Sequence, residues 1–133
     1  MTPQLHVQVI PRDQLSLAQK EEIRQHCTLR TAYVEAVATD VDYQRQGYAT
    51  QVMQRLQAEI VDYELGGLSE NPDVRHWYAQ LGWESWQGPL SIRSEQGCIA
   101  TPDEHCMILR LPQTPPIQLE SPLSAEWRPG ELW

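Results

Sequence analysis

The stretch Tyr33–Leu56, YVEAVATDVDYQRQGYATQVMQRL, decides how the chain folds. Tyr33 to Thr39 is rich in β-branched and small apolar residues, which predicts a strand. Beyond it Ala49, Val52, Met53, Leu56 and Ile60 fall on one face at helical spacing, so a helix begins near Gly47. Between the two lies Gln44-Arg45-Gln46-Gly47-Tyr48-Ala49, the pattern Q-x-x-G-x-A. Gly47 and Ala49 put little side chain where strand turns into helix. A ligand can approach the backbone there, and the first N–H groups of a helix have no partner within it. Such a terminus attracts phosphate. Gln44 to Thr50 is therefore a candidate pyrophosphate cradle, although a plain helix start has the same local signature.

Within the strand the side chains alternate. Tyr33, Glu35, Val37 and Thr39 face one way, and Val34, Ala36 and Ala38 the other. Glu35 is thus a carboxylate among apolar neighbours, which demands a partner, a function or a solvated sheet edge. Upstream, Leu5 to Ile10 alternates and predicts a short strand ended by Pro11. Ser16-Leu17-Ala18-Gln19 resembles a capping box and opens a helix through about Cys27. Downstream, Leu65-Gly66-Gly67-Leu68 reads as a strand and Ser69-Glu70-Asn71-Pro72 as a turn. The next helix carries Val74, Trp77, Tyr78 and Leu81 on one face and ends at Gly82, a spacing that also suits a purely packed Tyr78. Gly88-Pro89 marks a turn, Ser94 to Glu104 a polar loop, and Cys106 to Leu111 a strand. Five prolines from Pro112 to Pro129 leave no helix of useful length, and the apolar residues among them predict a packing tail over 112–133.

At 133 residues the chain has room for one domain, 1–133, with a shortened N-terminal segment at 1–31. No apolar run is long enough to span a bilayer, and the first residues do not make a signal peptide. Cys27, Cys98 and Cys106 lack metal or redox spacing and read as reduced thiols of a cytoplasmic protein. The net charge of −8 argues against a nucleic-acid partner and favours a cationic one. His6, His26, His76 and His105 are scattered, and neither a metal-ligand cluster nor a Ser/His/Asp pattern is present.

The organising stretch resembles the coenzyme site of the GNAT acyltransferase superfamily, whose Q/R-x-x-G-x-G/A is matched by Gln44, Gly47 and Ala49. Asn71, Val74, Trp77, Tyr78, Gly82 and Trp83 resemble its second motif, N-x-x-A-x-x-L-Y-x-x-x-G-F, in the expected order. A closer similarity is to the aminoglycoside 2′-N-acetyltransferases. It is carried by Tyr33-Val34-Glu35, Tyr78 to Trp83, Trp86-Gln87-Gly88-Pro89, Thr101-Pro102-Asp103 and the ending Glu126 to Trp133.

The resemblance implies an α/β fold, a GNAT-like mixed sheet flanked by helices, here lacking two N-terminal strands. It implies acetyl-coenzyme A as co-substrate and a small cationic amine, of the aminoglycoside class, as acceptor. Coenzyme contacts would fall on Val37, Ala38, Thr39, Gln44, Arg45, Gln46, Gly47, Tyr48, Ala49, Thr50 and Asn71. Glu35 would be the base and Tyr78 the acid, and Glu35, Ser69, Glu104, Glu131 and Trp133 would meet the acceptor, the last through its α-carboxylate. Two other readings stand beside this one: a GNAT enzyme for another small amine, and an inactive shortened relative that binds coenzyme A or a partner protein. The missing strands also expose an edge of the Tyr33–Thr39 strand. Leu5 to Ile10 would cover it in parallel as a βαβ unit, or a second copy of the chain would cover it in a homodimer.

Overall fold

The computed structural model describes residues 4–8, as strand backbone, together with 28–35, 37–129 and 133. The helix expected over Ser16 to Cys27 lies outside the described residues. The strands are β1 (Gln4–Gln8), β2 (Thr31–Glu35), β3 (Leu65–Ser69), β4 (Glu84–Ser85), β5 (Leu90–Ser94), β6 (Gly97–Ala100), β7 (Cys106–Arg110) and β8 (Leu123–Glu126). The helices are α1 (Tyr48–Glu59) and α2 (Arg75–Gln80). One sheet has the order β1-β2-β3-β7-β4, the other β6-β5-β8. The chain divides into two compact units, residues up to Gly66 with Arg110–Thr114, and Gly67–Leu109 with Pro115–Trp133.

In the first unit β2 is shorter than its composition predicts and begins earlier, at Thr31 rather than Tyr33. Its ladder with β1 runs from Gln4↔Glu35 to Gln8↔Thr31 among the described residues. Val37 to Asp40 keep strand-like residues but adopt no regular structure, because β-propensity alone does not make a strand. The alternation expected along the strand is also incomplete. Ala32, Tyr33 and Val34 are all buried, so both faces of the strand centre are covered.

β1 runs antiparallel to β2, which corrects the parallel βαβ expectation. An antiparallel partner lets the connection leave and return at the same end of the sheet, whereas a parallel one must cross back along it. The register sets Leu5 opposite Val34 and Val7 opposite Ala32. With that edge occupied, the argument for a dimer across it falls.

The helix α1 forms where its letters place it. It holds neither Gly nor Pro and buries Met53 and Leu56, with Ile60 buried at its C-cap. Arg30 secures the approach to β3. Its N–H donates to Glu64 Oε1 at 3.0 Å, its guanidinium donates to the Asp62 carbonyl at 2.7 Å, and its carbonyl accepts from the Glu64 N–H at 2.9 Å.

In the second unit β7 is buried from Cys106 to Leu109, the continuous apolar run expected of a strand covered on both faces. β4 pairs with it antiparallel through Glu84↔Ile108 and Ser85↔Met107. The stretch expected as a polar loop instead contains β6, which forms a hairpin with β5 across Glu95-Gln96. Gly97 takes φ +115°, which a residue with a side chain rarely adopts, and the Ser94 hydroxyl donates to its carbonyl at 3.2 Å. The strand is four residues long and exposed throughout, so no burial pattern marks it, and its pairing is made by the main chain. β8, in the proline-rich stretch, pairs parallel to β5.

The turn at Gly88-Pro89 packs backbone to backbone. The N–H groups of Gln87 and Gly88 both donate to the Leu119 carbonyl, at 2.9 and 2.8 Å, and the Trp86 indole donates to the Ser121 carbonyl at 2.9 Å. A Cβ on Gly88 would stand 2.0 Å from the Ser121 oxygen and 2.6 Å from that of Glu120. Both obstacles are main chain, so neither can rotate away. Gly88→Ala is therefore expected to lower unfolding free energy by about 1–3 kcal/mol or more, the range of overpacking changes. Urea unfolding followed by tryptophan fluorescence measures it, and an unchanged midpoint would refute the close approach.

Candidate active site

The first unit holds the strand-to-helix turn. Glu35 is the last residue of β2 and is half-buried, while Val37 and Thr39 are half-buried and Ala38 is exposed. Asp40 opens a single 3₁₀ turn over Val41–Tyr43, its carboxylate accepting the Asp42 N–H at 2.9 Å and its carbonyl the Tyr43 N–H at 2.9 Å. Gln44 folds back so that its amide donates to the Thr39 carbonyl at 3.2 Å. Arg45 has φ +62° and Gly47 φ +81°, two left-handed residues within three positions. This reverses the chain sharply enough for α1 to start at Tyr48.

Gly47 is the N-cap and offers no side chain to the helix start, and no acidic residue lies in the first turn. The first intrahelical bond runs from the Gln51 N–H to the Gly47 carbonyl at 3.0 Å. A Cβ on Gly47 would meet nothing within 4 Å. Gln44 to Tyr48 are exposed, Ala49 and Thr50 half-buried. The turn thus combines open space, an arginine and the positive end of a helix dipole in a chain of net charge −8. It suits an anion.

The second unit holds Tyr78. It lies on α2, a single short helix whose side-chain cap is also missing. Asn71 organises the approach as an Asx turn, its side-chain oxygen accepting the Asp73 N–H at 3.0 Å and its carbonyl the Val74 N–H at 3.1 Å. The Tyr78 carbonyl accepts from Leu81 and Trp83, at 3.0 and 3.1 Å, and Gly82 turns the chain with φ +99°. The Tyr78 ring is buried, 4.7 Å centre to centre from Trp77 and edge-on to Trp83 at 6.3 Å. Burial raises the phenol above its ordinary value, so the hydroxyl keeps its proton at neutral pH.

Ser69 ends β3, and Glu104 lies in the loop before β7; both are exposed. The residues that follow them are joined, since the Glu70 N–H donates to the His105 carbonyl at 2.9 Å. Two positions expected to meet the acceptor therefore come to one end of neighbouring segments. Trp133 is buried, and its indole nitrogen has no hydrogen-bond partner among the described residues. Glu131 lies outside the described residues. Glu35 belongs to the first unit and Tyr78 to the second.

One residue escapes sequence reasoning altogether. Glu70 sits in a polar turn, Ser69 to Asn71, which reads as solvated, yet its side chain is only 6% exposed. It binds Arg75, with Nε to Oε1 at 3.1 Å, and accepts a hydrogen bond from the Ser85 hydroxyl. Its charge also acts on Cys106. That thiol is pushed up to about 12, mainly by burial and further by Glu70.

Residues 11–83 match the model of the acetyltransferase (GNAT) family, which is more than half of the chain. The chain belongs to the GNAT acetyltransferase family. It is 35% identical over 123 residues, 89% of its length, to an aminoglycoside 2′-N-acetyltransferase of Mycolicibacterium fortuitum. It spans 63% of that relative's length. Among solved structures it is similar to Chaetomium thermophilum Naa20, solved in complex with a bisubstrate analogue. The likeness has a TM-score of 0.53 at 13% identity and covers 92% of this chain and 67% of the other. The fold is therefore a GNAT-like mixed α/β fold, as the motifs imply. Among the described residues no helix is long and apolar enough to cross a membrane.

The Cys106 thiol makes stability depend on alkaline pH. Below pH 9.0, the ordinary value, the thiol is neutral in both folded and unfolded chains. Between 9.0 and about 12 it ionises only in the unfolded chain. Stability is then lost at up to about 1.4 kcal/mol per pH unit. The raised Tyr78 phenol adds a loss of the same sign above 10.0. Denaturant unfolding of the wild-type chain should weaken from pH 9 upward, and Cys106→Ala should show a shallower slope. Equal slopes would contradict this burial of the thiol.

Proposed function

We propose that this chain is an N-acetyltransferase that moves the acetyl group of acetyl-coenzyme A to an amine of a small cationic acceptor of the aminoglycoside class. The observation that carries the reading is the Gly47 turn, left-handed, open above its Cα and followed by a helix start without acid or side-chain cap. Pyrophosphate suits such a place, where backbone amides and a helix dipole meet its charge. Gln44, Arg45, Gln46, Gly47, Tyr48, Ala49 and Thr50 would hold it. The irregular run Val37–Thr39 would offer main-chain groups to the pantetheine arm, and Asn71 would contribute from its turn.

The chemistry asks for two proton transfers. The amine nitrogen attacks the acetyl carbon only when neutral, and the C–S bond breaks as the N–C bond forms. Glu35, acting through water, accepts the amine proton. Tyr78, which burial keeps protonated, donates to the departing sulfur. Ser69 and Glu104, with Glu131 and Trp133, would surround the acceptor. Carboxylates suit a polycation, since hydrogen bonds between charged partners are about twice as strong as neutral ones. The identity to an aminoglycoside 2′-N-acetyltransferase supports this acceptor class.

A panel of aminoglycosides, polyamines and simple amines with acetyl-coenzyme A, followed by free thiol release, tests the whole. Release with aminoglycosides alone supports the full reading. Release only with other amines keeps the reaction and replaces the acceptor, and coenzyme binding without release leaves a binding protein.

Gly47→Glu should abolish coenzyme binding in calorimetry, because it sets bulk and negative charge over the turn. Gly47→Ala should retain part of it, since a Cβ there meets nothing within 4 Å and only the backbone angle resists. Equal affinity in the glutamate variant would move the coenzyme elsewhere. Tyr78→Phe should lower kcat by about 10²–10⁴, the usual worth of a positioned acid, and leave coenzyme affinity unchanged. Glu35→Gln should slow turnover most at pH values below that at which the acceptor amine loses its own proton. Wild-type kcat in both variants would remove the proton-transfer roles.

A further inference from the structure

Glu70 has no part in the chemistry above, yet the second unit converges on it. Its Oε1 lies 3.1 Å from Arg75 Nε and its Oε2 accepts from an Arg75 Nη at 3.3 Å, a two-pronged fork. The Ser85 hydroxyl of β4 donates to Oε1, and the Glu70 N–H donates to the His105 carbonyl ahead of β7. The first residue of α2 and β4 are thus tied at one carboxylate at the end of β3, and the same residue's N–H holds the loop before β7.

What it ties matters because α2 has only six residues and no side-chain N-cap. Helices below about 12–15 residues do not hold themselves in water, so this one depends on its anchors. At the far end the Tyr78 carbonyl binds two N–H groups. At the near end the anchor is the Glu70–Arg75 fork. Arg75 and Tyr78 are three residues apart, neighbours on one helical face. Stability alone is a poor reason for such a group. Desolvating a carboxylate offsets much of what its partner returns, and an apolar side chain in that place often does as well. The fork supplies direction instead, because a guanidinium bound through two nitrogens cannot swivel.

We propose that Glu70 is a positioning residue for Tyr78, fixing through Arg75 and Ser85 the rotation and height of α2 and so the place of the Tyr78 hydroxyl. The inference takes the work of Tyr78 from the acetyl-transfer reading and the work of Glu70 from geometry alone. Glu70→Gln removes the charge and one prong. Arg75, half-exposed, can then turn to water, so no unpaired charge is left buried. Arg75→Lys keeps the charge but loses the fork.

Steady-state kinetics with acetyl-coenzyme A and the best amine of the panel should show kcat lower by about 10- to 100-fold in Glu70→Gln, the cost of a small misplacement. The KM for the coenzyme should move less than about twofold, because its proposed contacts apart from Asn71 lie in Val37 to Thr50, elsewhere in the chain. Arg75→Lys should fall between, and the double variant should be no slower than Glu70→Gln. A second readout needs no turnover. Phenolate absorbance, taken as the difference between each protein and its Tyr78→Phe counterpart, isolates the titration of Tyr78. It should lie above 10.0 in the wild type and return toward that value in Glu70→Gln.

A role in stability alone would lower the melting temperature yet leave kcat per folded molecule and the Tyr78 titration unchanged, and that result overturns the proposal. Should Glu70→Gln fail to fold, Arg75→Lys decides by the same two measurements. If the wild-type chain releases no thiol with any amine, the acetyl-transfer reading fails. The titration then still decides whether Glu70 sets Tyr78.

Discussion

Just before α1 starts at Tyr48 the backbone must turn sharply, and it does so by entering left-handed space. Arg45 and Gly47 do this, at φ +62° and +81°. For Gly47 the angle is nearly free of strain, whereas a residue with a Cβ would lose about 1–2 kcal/mol. That freedom has two consequences. The helix begins without a side chain over its first N–H groups, and its axis leaves the turn with Met53, Leu56 and Ile60 buried. The same residue therefore serves packing and a prospective anion site. A Ser or Asp cap would stabilise the helix more but would fill or repel at the opening.

The second unit meets a different constraint. Its aromatic volume comes from tryptophan and tyrosine, since the chain contains no phenylalanine. Each of those rings brings a polar atom that usually finds a partner when buried, although the Trp133 indole has none among the described residues. Trp86 does so by donating to the Ser121 carbonyl, which requires the chain around Leu119–Ser121 to lie against the Gly88 turn. Hence the unusually close approach at Gly88, which no side chain could share. Tyr78 and Trp83 fix each other edge to face, while backbone bonds from Trp83 and Leu81 hold the Tyr78 carbonyl. A ring so confined keeps its hydroxyl protonated because the phenolate would be poorly solvated. Cys106 shows the same physics on another group. Burial holds its thiol neutral, and the neighbouring Glu70 carboxylate, bound by Arg75, adds to the effect.

Much of this architecture was legible in the letters because it is local. The helix over Tyr48–Glu59 follows from the spacing of Val52, Met53, Leu56 and Ile60, and its start from a glycine that alone tolerates the required angle. The strand CMILR follows from an unbroken apolar run, and the turn at Asn71-Pro72 from side chains that bond their own backbone. The paired motifs around Gly47 and Tyr78 lie within the residues 11–83 that match the family model, and Gly47 and Gly82 in them meet a local need for positive φ.

What only the tertiary structure decided was pairing and burial, which depend on segments far apart in the chain. The β1 partner runs antiparallel rather than parallel, and β2 spans Thr31–Glu35 although Val37 and Thr39 keep strand composition. The hairpin of β5 and β6 and the strand β8 are made by main-chain bonds to which polar side chains and prolines give no clue. Glu70 reads as a solvated turn residue and is instead enclosed, since Ser85 and Arg75 reach it from 15 and 5 residues away. Periodicity reports which face of a segment is apolar, but which partner covers that face is settled only when the chain closes on itself.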